Sequence, residues 1–155
     1  MILYLVWDSS GSMAEWGKNL IARGVARTVE QYLRLGYGQA ELKLISWRNE
    51  VHLIDWQPDQ EFPSECLVTK GIANVQALIS FIESEPDGKI LILSDGFWSS
   101  KDSTKFKRWK RDLPLNAIRI IKIGADANAQ LKGDDVFDAE NLITALDRWL
   151  EGGKG

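Results

Sequence analysis

The chain has 155 residues, the length of a single domain spanning 1–155, and enough to bury roughly two-thirds of the surface its unfolded form exposes. A net charge of −3 gives no global basis for binding nucleic acid or an anionic membrane, and the one cysteine, Cys66, excludes an internal disulfide framework and a cysteine zinc site. No apolar stretch approaches the roughly 18 residues that span a bilayer, and no basic-then-apolar leader opens the chain, so a reducing, cytoplasmic setting is expected.

The first element, ILYLVW (2–7), is apolar throughout, as a strand covered on both faces must be. In KNLIARGVARTVEQYLRLG (18–36), Leu20, Ile21, Val25, Val29, Tyr32 and Leu33 recur at helical spacing, and Gly36 and Gly38 stop the helix. Gly24 inside it costs about 1 kcal/mol against alanine, so close packing on a sheet is expected there. ELKLISW (41–47) and VHLIDW (51–56) are strands joined by so short a link that they must be antiparallel. Residues 57–66 form a polar loop with Pro58 and Pro63.

NVQALISFIESE (74–85) is helical, with Val75, Leu78, Ile79 and Ile82 on one face. KILILSDG (89–96) is a second strand apolar on both faces, and it too ends in an acid, Asp95. A basic helix follows over 102–112, then the strand AIRIIKIG (117–124), ended by Gly124. DAENLITALDRWLEG (138–152) closes the chain as a helix, with Asp138 as N-cap and Gly152 just past its end. Buried strands alternating with helices describe an α/β, doubly wound, Rossmann-like sheet, mostly parallel with one antiparallel edge strand and helices on both faces. Ligands of such sheets bind at the carboxyl ends of the strands, where strand order reverses. Asp8 and Asp95 both stand at such ends.

Asp8, Ser10, Ser12 and Asp95 together offer carboxylates and hydroxyls, all hard oxygen donors, with no imidazole or thiolate among them. That set suits Mg²⁺, Mn²⁺ or Ca²⁺ rather than zinc or copper. The spacing Asp8-x-Ser10-x-Ser12 lets one tight loop turn its side chains toward a point. Simple capping of the next helix is the alternative, but it needs only one such residue and leaves the second acidic strand end unexplained.

The stretch DSSGSM (8–13) resembles the Asp-x-Ser-x-Ser motif of the metal-ion-dependent adhesion site in von Willebrand factor type A domains, relatives of the integrin I domains. LILSDG (91–96) is similar to that family's later strand ending, and the order of elements agrees over essentially the whole chain. The resemblance implies that Ser10 and Ser12 bind a divalent cation directly, and that Asp8 and Asp95 bind it directly or through water. The family's remaining ligand is a threonine in a loop before a helix. Aligning Asn74 and Leu78 puts Ala73 there, which has no donor, and Thr69 is the available substitute.

In that family the cation's open position accepts an acidic side chain of a partner protein, and intracellular members commonly serve as adaptors in multiprotein assemblies, often with MoxR-type AAA+ ATPases. The resemblance therefore implies a protein-binding module rather than an enzyme. Trp16 and Trp98 flank the two motifs and are candidates for an apolar rim around the site, where tryptophan is enriched in protein contacts; Phe97 and Trp7 read as core. No phosphate-binding glycine loop or HExxH motif occurs, and the single histidine, His52, reads as a solvated residue of the edge strand. Two other functions are weighed: a metal-dependent phosphohydrolase using Asp8, which lacks a second acid in its loop, and a nucleic-acid module using the basic residues of 101–111. Phe106, Trp109 and Leu113 share a face of that basic helix, so its charges fall on the solvent side.

Overall fold

The computed structural model describes residues 1–57 and 59–151; Pro58 and Gly152 lie outside the described residues. The strands are β1 (Ile2–Asp8), β2 (Glu41–Trp47), β3 (Val51–Ile54), β4 (Lys89–Ser94), β5 (Ile118–Lys122) and β6 (Val136–Asp138). The α-helices are α1 (Lys18–Arg34), α2 (Val75–Glu83), α3 (Ser100–Asp112) and α4 (Leu142–Leu146). The sheet runs β3-β2-β1-β4-β5-β6. Among the described residues only the β2–β3 pair is antiparallel, so the mixed sheet with an antiparallel edge strand is as the sequence indicates.

Strand β1 lies at the centre and pairs with β2 and β4. Its period of two explains why it must be apolar on both faces. Leu3, Leu5 and Trp7 join one core with Leu91, Leu93, the buried stripe of α1 and Leu142, Ala145 and Leu146 of α4. Tyr4 and Val6 join the other with Ile90, Ile92, Leu78, Phe106 and Trp109, under α2 and α3. Strand order reverses between β1 and β4, since the chain leaves β1 for one edge and returns to add β4 on the other side. The ends of these two strands are where a ligand site belongs in such a sheet.

Several local expectations are corrected. The buried stripe of α1 is Lys18, Ala22, Val25, Ala26 and Val29, while Leu20 and Ile21 are exposed. Gly24 faces outward, where a Cβ would meet nothing within 4 Å, so no close packing requires it. The short strand β6 was not anticipated; it pairs in parallel with β5. The closing helix is far shorter than 138–152. It begins as a single 3-10 turn at Ala139–Asn141, for which the Asp138 side chain makes no capping bond. It ends at Leu146, because Asp147 turns extended and Arg148 takes φ 64°.

Helix α3 behaves as its pattern requires. Phe106 and Trp109 are buried, while Lys101, Lys107, Arg108 and Arg111 are exposed. Ser99 caps it by accepting from the Asp102 backbone N–H. His52 is exposed on β3, 3.3 Å from Glu50. Cys66 is fully buried in a 3-10 turn (Ser64–Leu67) against the α1 core, and burial pushes its thiol up to about 12. Among the described residues no helix is long and apolar enough to cross a membrane.

Candidate metal and partner site

The end of β1 delivers Asp8 into the interior with no exposed surface. Such a carboxylate needs every lone pair met. Its Oδ1 accepts from the Ser10 backbone N–H at 2.9 Å and from Ser10 Oγ at 2.6 Å, and its Oδ2 accepts from Ser94 Oγ at 2.6 Å. The motif's tight loop thus folds back on its own aspartate, as an Asx turn does. Burial pushes the Asp8 carboxyl above the usual carboxylate range; the hydrogen bonds from Ser10 and Ser94 pull the other way, and nearby Asp95 adds to the rise.

Ser94, at the end of β4, is a residue that the sequence reading missed. Its hydroxyl donates to Asp8 and accepts from the Gly96 N–H at 3.0 Å and from the Trp98 indole N–H at 3.1 Å. Trp98 is therefore turned inward, half-buried with its ring 5.4 Å from that of Trp47 and 4.9 Å from that of Phe106. It positions the strand end and does not form the rim. Its neighbour Phe97, read as core, is instead 48% exposed. Gly96, at φ 74°, makes the turn that exchanges the two, a conformation costly for other residues.

Asp95 is also fully buried, and it is met by a cation. Lys18, the first residue of α1, has no exposed surface; its Nζ lies 3.1 Å from Asp95 Oδ2 and 3.2 Å from Asp126 Oδ2. Burial works against its charge, but the hydrogen bonds and attraction of Asp95 and Asp126 prevail and hold the ammonium above the ordinary lysine range. The other Asp95 oxygen accepts from the Phe97 N–H at 3.2 Å.

The loop before α2 runs beside the β1 loop. Lys70 N–H donates to the Ser9 carbonyl at 3.0 Å, and Gly11 N–H donates to the Gly71 carbonyl at 2.9 Å. These bonds bring the segment carrying Thr69 alongside Ser10 and Ser12. Ala73 is buried in the core with Val75 and Leu78, so this point of the loop offers no oxygen. Asn74 caps α2 by accepting from the Ala77 N–H at 3.1 Å.

The donor set can be tested against a hard divalent cation. Ser12 Oγ is buried and has no hydrogen-bond partner, an orphan that a cation would satisfy. Ser10, Asp8 and Asp95 add oxygens of the right kind. Among the described residues no three His, Cys, Asp or Glu side chains cluster as a metal site, so the hydroxyls are essential to this one. The donor set fits such an ion, with Asp95 already engaged by Lys18.

Several large apolar side chains of these loops are exposed. Trp16 is 82% exposed and held at φ 54°, a left-handed conformation rare for a bulky residue. Phe97 and, on the adjoining loop, Val68 and Ile72 are exposed too. The exposed aromatic side chains beside these loops are Trp16 and Phe97, whereas Trp98, expected there, is half-buried.

No protein-family model matches the chain, and no curated protein matches it by sequence. Solved structures do match by shape. The manganese-loaded TRAP protein of Plasmodium vivax matches with a TM-score of 0.60 at 14% identity, over 97% of this chain and 73% of that one. The ArnB paralog VWA2 of Sulfolobus acidocaldarius matches with a TM-score of 0.54 at 20% identity, over 94% of this chain and 44% of that one. Proximal thread matrix protein 1 of the mussel byssus matches with a TM-score of 0.55 at 10% identity, over 96% of this chain and 46% of that one. The chain spans less than half the length of the latter two.

Proposed function

Starting from the von Willebrand factor A-like fold that these neighbours share with it, we propose that the chain is a protein-interaction module whose docking face is the loop cluster at the carboxyl ends of β1 and β4. The observation that carries this reading is the exposed Trp16, held in a strained backbone conformation beside a loop whose Ser12 hydroxyl is buried and unpartnered. Strain and an unmet polar group are retained where they serve a function. Ser10 and Ser12, with Asp8, Asp95 and Thr69, would hold a Mg²⁺, Mn²⁺ or Ca²⁺ ion. Bound there, it supplies positive charge that attracts a carboxylate of the partner, while Trp16 and Phe97 supply apolar contact area. The manganese-loaded TRAP structure supports divalent-cation chemistry on this fold.

The partner is a protein presenting an acidic side chain. An adaptor role in a cytoplasmic multiprotein assembly, with a MoxR-type AAA+ ATPase as one candidate, follows by analogy with the family that the motif resembles. Binding is favoured over phosphoester hydrolysis because Asp8 is fully buried with both oxygens engaged by Ser10 and Ser94, which suits a positioning group better than a nucleophile. Affinity capture from the native host with wild-type and Trp16→Ala baits, with and without chelator, tests the reading. Partners lost from the variant bait support it; identical partners on both baits overturn it. Turnover of phosphoesters that disappears in Asp8→Ala would favour the enzyme instead.

A further inference from the structure

A lysine without exposed surface is rare unless its charge is met. The placing of Lys18 is more specific than a generic ion pair. Its Nζ touches Asp95 Oδ2 at 3.1 Å and donates to the Ser12 carbonyl at 3.5 Å, so it bridges two residues that the sequence motif marks as cation ligands, one from each strand-end loop. Asp126 Oδ2, on the loop after β5, is the second anionic contact at 3.2 Å. The Phe97 ring adds a cation–π contact at 5.1 Å. Gly124 leaves room for the stem: a Cβ there would come within 3.0 Å of Lys18 Cε and 3.1 Å of its Cγ. At the same time Ala73 supplies no oxygen, and the Ser12 hydroxyl has no partner. One loop has lost a donor while a neighbouring helix supplies a fixed positive charge.

We propose that the Lys18 ammonium is a tethered cation that competes with a divalent ion for Asp95, so that the loop cluster stays assembled without metal and binds Mg²⁺ or Mn²⁺ only weakly. The proposal rests on the reading of this cluster as the docking face and concerns how that face is regulated. Without metal, Lys18 neutralises Asp95, so a partner carboxylate meets less repulsion there than bare strand-end carboxylates would give. Metal supplies the attraction at high ion concentration and is not required for the fold.

The test compares wild type with Lys18→Met, which keeps the stem and removes the charge. Titration calorimetry and thermal melts are run in chelator, Mg²⁺ and Mn²⁺. Wild type is expected to melt at nearly the same temperature in all three. Lys18→Met should be destabilised in chelator, recovered by either ion, and bind the ion at least about tenfold more tightly than wild type, the scale expected for removing a like charge a few ångströms away. Adding Ser12→Ala to Lys18→Met should abolish the gain. A purely structural ion pair predicts a loss of stability that no ion restores, and that result overturns the proposal. So do ion affinities equal in wild type and variant, or a gain that survives Ser12→Ala. If Lys18→Met does not fold in chelator, refolding in Mn²⁺ is the readout: recovery supports the proposal and no recovery overturns it. The docking reading is judged separately by the Trp16→Ala bait in chelator, so either can fail alone.

Discussion

Asp8 and Asp95 end adjacent strands of one sheet, and neither has any exposed surface, yet they are met in opposite ways. At the end of β1 the carboxylate is surrounded by neutral donors, two hydroxyls and a backbone N–H, all within four residues of its own strand end or of β4's. At the end of β4 it is met by an ammonium brought from α1. Neutral donors satisfy a buried carboxylate geometrically without cancelling its charge, whereas a lysine cancels it. The first arrangement preserves negative potential at the end of β1. The second removes it at the end of β4. Under the proposed reading, a cation would meet intermediate attraction between them.

Breaking the charged arrangement should have the largest effect. Asp95→Ala leaves the buried Lys18 with only a partly solvated partner and is expected to destabilise by about 3–5 kcal/mol, measured by urea unfolding. Breaking the neutral arrangement should cost less. Ser94→Ala strips a donor from Asp8 and an acceptor from Gly96 and Trp98, an expected loss of about 1–3 kcal/mol in the same assay. Trp98→Phe keeps the ring near Trp47 and Phe106 and removes only the indole N–H, so about 1 kcal/mol is expected, with Asp8 still held by Ser94. Asp126→Asn should be the mildest, under about 1 kcal/mol, because that carboxylate is 43% exposed and water already shares its charge. If Ser94→Ala proved costlier than Asp95→Ala, the neutral network rather than the ion pair would be the stronger constraint on the strand ends.

The sheet was legible because β1 and β4 are continuous apolar runs, a pattern that only a strand covered on both faces requires. Strand β6 was not, since three residues are too few to show a period, and it exists only because β5 offers an edge. The motif loop was legible from its oxygens. Lys18 was not, because a lysine opening an amphipathic helix reads as solvated. A signal did exist: positions 18, 22, 25 and 29 follow one another at helical spacing, which puts Lys18 on the same stripe as Ala22, Val25 and Val29. Phe97 and Trp98 were exchanged because adjacent aromatics carry no period of their own, and the turn at Gly96 decides which faces in.

The buried thiol of Cys66 has a practical consequence. Its ionisation is pushed up to about 12, so at pH 8 only about one molecule in ten thousand would carry the thiolate even if a reagent could reach it. Labelling of the native protein therefore waits on excursions that uncover the segment leading to Thr69, and its rate is a stopwatch for the breathing of that segment. The chain thus carries an intrinsic reporter, placed by its own fold, of how often the wall beside the strand-end loops comes away.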